Sequence, residues 1–87
     1  MNQSIIINDD MTWNAKTKCV EFSAINAGAI VNCQITKQYL INKGLGEEFD
    51  PLSITEFCKL IDFDIEEDAH QAINDEQLTS DGVLILS

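Results

Sequence analysis

The chain has 87 residues, with fifteen acidic residues against five lysines and a formal net charge of −10. A field this negative disfavours direct binding to nucleic acid phosphates or to anionic lipid, and it attracts a basic partner. No apolar run approaches the roughly 18 residues that a membrane helix needs, and residues 1–4 lack the positive charge of a signal peptide. We therefore expect a cytoplasmic protein with no membrane association.

The charge is concentrated in the second half of the chain. Residues 1–46 carry three acids and four lysines, a net of +1, whereas residues 47–87 carry twelve acids and one lysine, a net of −11. Acids on a solvated face keep a small protein soluble, and they also indicate where a basic partner would bind.

A short strand is predicted at residues 4–8, because three consecutive isoleucines favour extended backbone. Turn-forming residues follow at 8–10 and again at 14–17. Between the two turns lies Trp13, the sole tryptophan. We expect it to be a partly buried cover of the core, with a role as a ligand platform as the alternative.

A β-hairpin is predicted next and organises the fold. Apolar residues alternate with polar ones along residues 18–23 and again along residues 29–35. This period of two is typical of strands that lay one face on a core.

The register of the hairpin follows from keeping both apolar sets on the same face. A four-residue loop at residues 25–28 satisfies this condition. It places Val20 opposite Cys33 and Phe22 opposite Val31.

Three helices are predicted after the hairpin. Thr36 can cap a short helix that runs to Asn42, and Gly44 can adopt the left-handed conformation that terminates it. Residues 47–51 are predicted to form a loop before the second helix. Ser53 and Glu56 have the spacing of a capping box for that helix. Its amphipathic stripe has the spacing i, i+3, i+4, i+7 and consists of Ile54, Phe57, Cys58 and Ile61.

Asp64 is predicted to cap the third helix, which carries carboxylates in its first turn that suit the helix dipole. Its apolar side consists of Ile65, Ala69, Ala72 and Ile73. Residues 83–86 are apolar on both faces and predict a strand in the interior of the sheet. The whole chain, residues 1–87, is thus predicted to be a single α+β domain. Its mainly antiparallel sheet is built on the central hairpin plus a C-terminal strand, and two to three helices cover it.

The pattern resembles a family of short bacterial proteins, Domain of Unknown Function 1488. The similar features are Trp13, residues 20–24, Gly28, residues 30–35, Leu40, Phe57, residues 63–66 and residues 82–86. The resemblance implies a compact α+β domain from a bacterium. It implies no established activity and supplies no catalytic residues.

The residues that carry chemistry form no recognisable catalytic, cofactor-binding or metal-binding motif. Cys19, Cys33 and Cys58 lack the paired spacing of zinc ligands, so we expect reduced thiols, with Cys33 and Cys58 filling the core. A calcium loop that starts at Asp62 fails, because its sixth and twelfth positions are not glycine and glutamate. His70, the sole histidine, is expected at the surface of the acidic helix.

We therefore predict a non-catalytic interaction or regulatory domain that binds a basic protein partner. The predicted contact residues are Asp62, Asp64, Glu66, Glu67 and Asp68, with Glu47, Glu48 and Asp50 as further candidates. Three alternatives stay open. They are a small enzyme or ligand binder with a pocket near Trp13 or the sheet–helix edge, a DNA-mimicking inhibitor, and a homodimer formed through an exposed sheet edge.

Overall fold

The structure, a computed structural model, describes residues 5–46 and 50–87. Within these residues the elements are β1 (Ile5–Ile7), β2 (Thr12–Asn14), β3 (Cys19–Asn26), β4 (Ala29–Thr36), α1 (Lys37–Asn42), α2 (Pro51–Leu60), α3 (Asp62–Asn74) and β5 (Leu84–Leu86). The strands form one mixed sheet in the order β1-β3-β4-β5, with β2 also paired to β3. The predicted α+β fold is confirmed.

The central hairpin of β3 and β4 has a shorter turn than predicted. Its two turn residues, Ala27 and Gly28, both have positive φ, +54° and +88°. Positive φ at both positions is the geometry of a type I′ turn, whose twist matches that of the flanking strands. Ile25 and Asn26 therefore continue the ladder and do not belong to a loop.

This change moves the register by two residues. Val20 pairs with Ile35, and Phe22 pairs with Cys33, so the predicted pairs are wrong. Because side chains alternate with a period of two, an even shift keeps every side chain on its predicted face.

The core lies between one face of the sheet and the helices. Away from the hairpin turn, alternate residues of β3 and β4 are buried there: Val20, Phe22, Ala24, Val31, Cys33 and Ile35. Cys33 and Cys58 are each 1% exposed, which confirms them as core residues. Trp13 is partly buried against the same core, as predicted, although it belongs to a strand that the sequence did not predict.

The edge of the sheet beside β3 is interrupted, because β1 and β2 pair with different halves of β3. Ser23 lies opposite the break. Its carbonyl accepts from the Asn8 N–H at 3.0 Å. The Asp10 carboxylate accepts from the Ser23 N–H at 3.0 Å and from its hydroxyl at 2.6 Å. A side chain thus replaces the missing strand and satisfies the Ser23 backbone.

The helix caps agree with the sequence in one case out of three. The Thr36 hydroxyl accepts from the Tyr39 N–H at 3.2 Å and caps α1 as predicted. The predicted Ser53 capping box is wrong, since the Asp50 carboxylate accepts from the Ser53 N–H at 2.8 Å. Pro51 occupies the first position of α2, where its missing N–H costs nothing. Of the predicted loop, residues 47–49 lie outside the described residues, and Pro51 is helical.

Two further expectations are corrected. The predicted Asp64 cap is wrong, since α3 begins at Asp62 and its N-cap, Ile61, makes no side-chain cap hydrogen bond. β5 lies at the end of the sheet, parallel to β4, and not in its interior. Its apolar run faces two environments, since Leu84 and Leu86 are buried and Ile85 is 44% exposed. No helix among the described residues is long and apolar enough to span a membrane.

Candidate functional site

α2 and α3 together form a helical layer with an apolar inner side and an outer side that combines acidic with large apolar side chains. Its inner side packs on the sheet through Ile54, Cys58, Ile65, Ala69, Ala72 and Ile73, all of which are buried. The periodicity of an α-helix places residues three or four apart on the same side. The residues on the opposite side of each helix from this buried set therefore face solvent, and they form the outer side of the layer.

We call the exposed line along this outer side the outer ridge. Its members follow one another at intervals of four, four, three and four residues: Leu52, Glu56, Leu60, Phe63 and Glu67. Leu52 is 68% exposed, and Leu60 and Phe63 are each 81% exposed. A single exposed apolar side chain is ordinary, but three along one line are typical of a contact surface.

The five predicted acids do not lie on a single face of α3. Glu67 belongs to the outer ridge. Asp64 and Asp68, four residues apart, lie on one flank of the helix, and Asp62 and Glu66 lie on the other. The acids therefore surround the exposed side of the helix and do not form one stripe. The further candidates Glu47 and Glu48 lie outside the described residues.

One of the five acids is engaged in the fold itself. The Tyr39 hydroxyl donates to Oδ2 of Asp68 at 2.5 Å, and Nζ of Lys43 lies 3.4 Å from the same oxygen. Burial raises the pKa of Tyr39, and the hydrogen bond to Asp68 and its charge raise it further. Asp68 thus ties α3 to α1 and is less available to a partner than its neighbours.

The other four acids differ from Asp68 in this respect. Within residues 5–46 and 50–87, no ion pair includes Asp62, Asp64, Glu66 or Glu67. Their negative charge is not neutralised locally, and it contributes fully to the field outside the helical layer.

A groove of about 470 Å³ lies between α2 and the segment before β2. Its lining residues are Asp9, Met11, Thr55, Cys58, Lys59 and Asp62. Burial, with a smaller effect of the Asp62 charge, raises the pKa of the Cys58 thiol to about 11. That thiol is protonated at neutral pH and is not an activated nucleophile. Trp13, near which the sequence analysis placed an alternative ligand pocket, is not among the lining residues of this groove.

The described residues also contain no group of three or more His, Cys, Asp or Glu side chains placed to hold a metal ion. The outer surface of α2 and α3 exposes both acidic and large apolar side chains.

The comparisons with known proteins place the chain in a family. Residues 5–86 match the family model described as "Protein of unknown function (DUF1488)". The chain belongs to the DUF1488 family. It is also similar to the crystal structure of a protein of unknown function from the DUF1488 family of Shewanella loihica PV-4. The TM-score is 0.90 at 27% sequence identity, over 99% of this chain and 94% of that chain. The comparison with curated proteins found no match.

The apolar part of the outer ridge was missed in the sequence analysis of this DUF1488 domain. Leu52 and Leu60 lie outside the amphipathic stripe that predicted α2, and Phe63 was considered only in the family resemblance. The sequence does contain a sign of them. Each is a large apolar residue at a position that the helical periodicity places on the solvent-exposed side, where a polar residue is expected.

Proposed function

We propose that this domain binds a basic segment of a partner protein through the acids of its helical layer. The observation that carries the proposal is the set of four acids at the beginning of α3, Asp62, Asp64, Glu66 and Glu67, none of which is in an ion pair within the described chain. Residues 50–87 hold ten acids against the single cation Lys59, so the surrounding surface adds to the same field.

Electrostatics supports a cationic partner in particular. Carboxylates that share a small surface without cations repel one another, and a lysine or arginine brought among them relieves that repulsion. Complementary charge of this kind accelerates association and selects partners, and it weakens as salt increases. Anionic partners are repelled by the same field.

A direct test uses a short fluorescent lysine-rich peptide as the probe and fluorescence anisotropy as the readout. The test variant replaces Asp64, Glu66 and Glu67 by Asn, Gln and Gln. If each exposed charge contributes about 0.5 kcal/mol, the three together account for about a tenfold loss of affinity at low salt.

The matched control removes three charges elsewhere, with Asp75→Asn, Glu76→Gln and Asp81→Asn. Both variants have the same net charge, so a purely global effect would weaken binding equally in the two. An equal loss in both, or binding that does not change with salt, would contradict the proposed site.

A further inference from the structure

We infer that the partner segment is amphipathic, and that its apolar side chains dock on Leu60 and Phe63 while its lysines or arginines meet the acids around them. This inference rests on the proposed function and specifies the chemistry of the partner. It starts from the two most exposed large apolar side chains of the described protein, Leu60 and Phe63, each 81% exposed.

The two side chains are placed to act together. They flank the junction between α2 and α3 at Ile61, three residues apart in the chain. Consecutive Cα atoms are about 3.8 Å apart, so the Cα atoms of these two residues lie within about 11 Å of each other. One short helical segment of a partner is therefore long enough to reach both side chains.

Acids border the anchors in both directions along the outer ridge. Glu56 lies four residues before Leu60, and Glu67 lies four residues after Phe63, so each acid shares a face with its anchor. All four side chains are exposed. An apolar centre with a charged rim is the usual anatomy of a protein interface.

Charge selects the occupant of this surface. A second copy of the chain carries the same net charge of −10 and would bring the acids of one ridge against those of the other. Anionic lipid surfaces and nucleic acids are repelled for the same reason. A protein segment with lysines or arginines beside large apolar residues satisfies both the apolar centre and the acidic rim.

The open face of the sheet offers an internal control. It also exposes isoleucines, with Ile6 at 54% and Ile30 at 73% exposed. The neighbours on their strands are largely neutral side chains such as Asn32 and Gln34, not a rim of acids. This face is apolar without the charge that a basic partner needs.

The experiment compares two synthetic probe peptides with equal numbers of lysines. One is a Lys/Leu amphipathic helix, and in the other glutamine, a similar helix former, replaces every leucine. Fluorescence anisotropy measures the affinity of each probe for the full chain. We expect the Lys/Leu probe to bind about tenfold more tightly or better, because burying apolar anchors is worth at least that factor.

Substitutions at Leu60 and Phe63 test whether these two side chains are the apolar anchors of the partner. Leu60→Ser with Phe63→Ser should abolish the preference for the Lys/Leu probe and leave the affinity for the Lys/Gln probe unchanged. Leu60→Met with Phe63→Met should retain the preference. Ile6→Ser with Ile30→Ser, on the open sheet face, should also retain it. Circular dichroism of each variant checks that it is folded.

The outcomes separate this inference from the proposed function. Equal affinity of the two probes, or a preference that survives the serine pair at 60 and 63, overturns the apolar anchors and leaves the acidic site standing. Failure of both probes to bind overturns both proposals. A dimer that light scattering detects in the parent chain but not in the serine variant would assign the ridge to a second copy and also overturn the inference.

Discussion

Both sides of the helical layer carry apolar side chains, but those on the inner side are buried and those on the outer side are exposed to solvent. Ile54, Cys58 and Ile65 on the inner side are 0–1% exposed, whereas Leu60 and Phe63 on the outer side are 81% exposed. Apolar side chains stabilise a fold only where they leave water. The inner set therefore contributes to folding, and the outer set is available for binding. Substitutions should divide in the same way.

The largest effect is expected for Ile65→Ala on the inner side. Ile65 is 0% exposed, and truncation of a buried isoleucine to alanine costs about 2–5 kcal/mol of unfolding free energy. Urea denaturation measures the loss. Ile65→Val removes one methylene group and should cost about 0.5–1.5 kcal/mol. A loss that does not increase with the volume removed would show that this side is not tightly packed.

Alkaline pH should also destabilise the inner side. Burial, followed by the effect of nearby carboxylates, raises the pKa of Cys33 and of Cys58 from 9.0 to about 11. Between these values the folded protein keeps protons that the unfolded chain releases, so the free energy of unfolding decreases as pH rises from about 9 to about 11.

Thermal unfolding across this pH range measures the alkaline loss. Cys58→Ala should reduce it, because one of the two buried thiols is removed. Cys19→Ala is the control, since Cys19 lies on the other face of the sheet and is only partly buried. If the Cys58→Ala variant kept the full alkaline loss, the assignment to the buried thiols would be wrong.

A smaller effect is expected at the beginning of the helical layer. Hydrogen bonds from the backbone N–H of Ser53 and, to a smaller extent, from its side chain lower the pKa of Asp50, and Asp50 caps α2. Asp50→Ala should decrease the urea midpoint by less than Ile65→Ala, and Ser53→Ala should decrease it by less still, because the backbone N–H of residue 53 remains to donate to Asp50. The contribution of the cap is lost as pH falls through the lowered pKa of Asp50. A greater sensitivity of Ser53 than of Asp50 would restore the capping box that the sequence predicted.

The smallest effect is expected on the outer side. Replacing Leu60 and Phe63 by serine, singly or together, should change the free energy of unfolding by no more than about 0.5 kcal/mol per site. The same urea titration measures this. A loss comparable with that of Ile65→Ala would remove the distinction between the two sides of the layer.

Local patterns in the sequence were sufficient for the buried faces and for the type of each element except β2. The alternation of Val20 and Phe22 identified the buried face of β3, and the spacing of Ile65, Ala69 and Ala72 identified that of α3. These assignments depend only on the period of each element. The register required more, because it is set by two turn residues, and Ala27 is an uncommon choice for a position with positive φ.

Features that depend on distant parts of the chain were not predictable in this way. β5 pairs in parallel with β4 after three intervening helices, and no local pattern determines where such a strand joins the sheet. The site was predictable in part. The negative charge was visible in the sequence, but the separation of Asp68 from its neighbours depends on Tyr39, which lies far from it in the chain.

The interrupted sheet edge has a consequence for the behaviour of the protein in concentrated solution. An uninterrupted flat edge strand is a template onto which a foreign strand can add, and such growth leads to fibres. Here β1 and β2 present only three residues each, and the carboxylate of Asp10 occupies the gap between them. An incoming chain therefore finds no continuous row of free backbone groups along this edge, because the carboxylate of Asp10 already accepts from the Ser23 N–H.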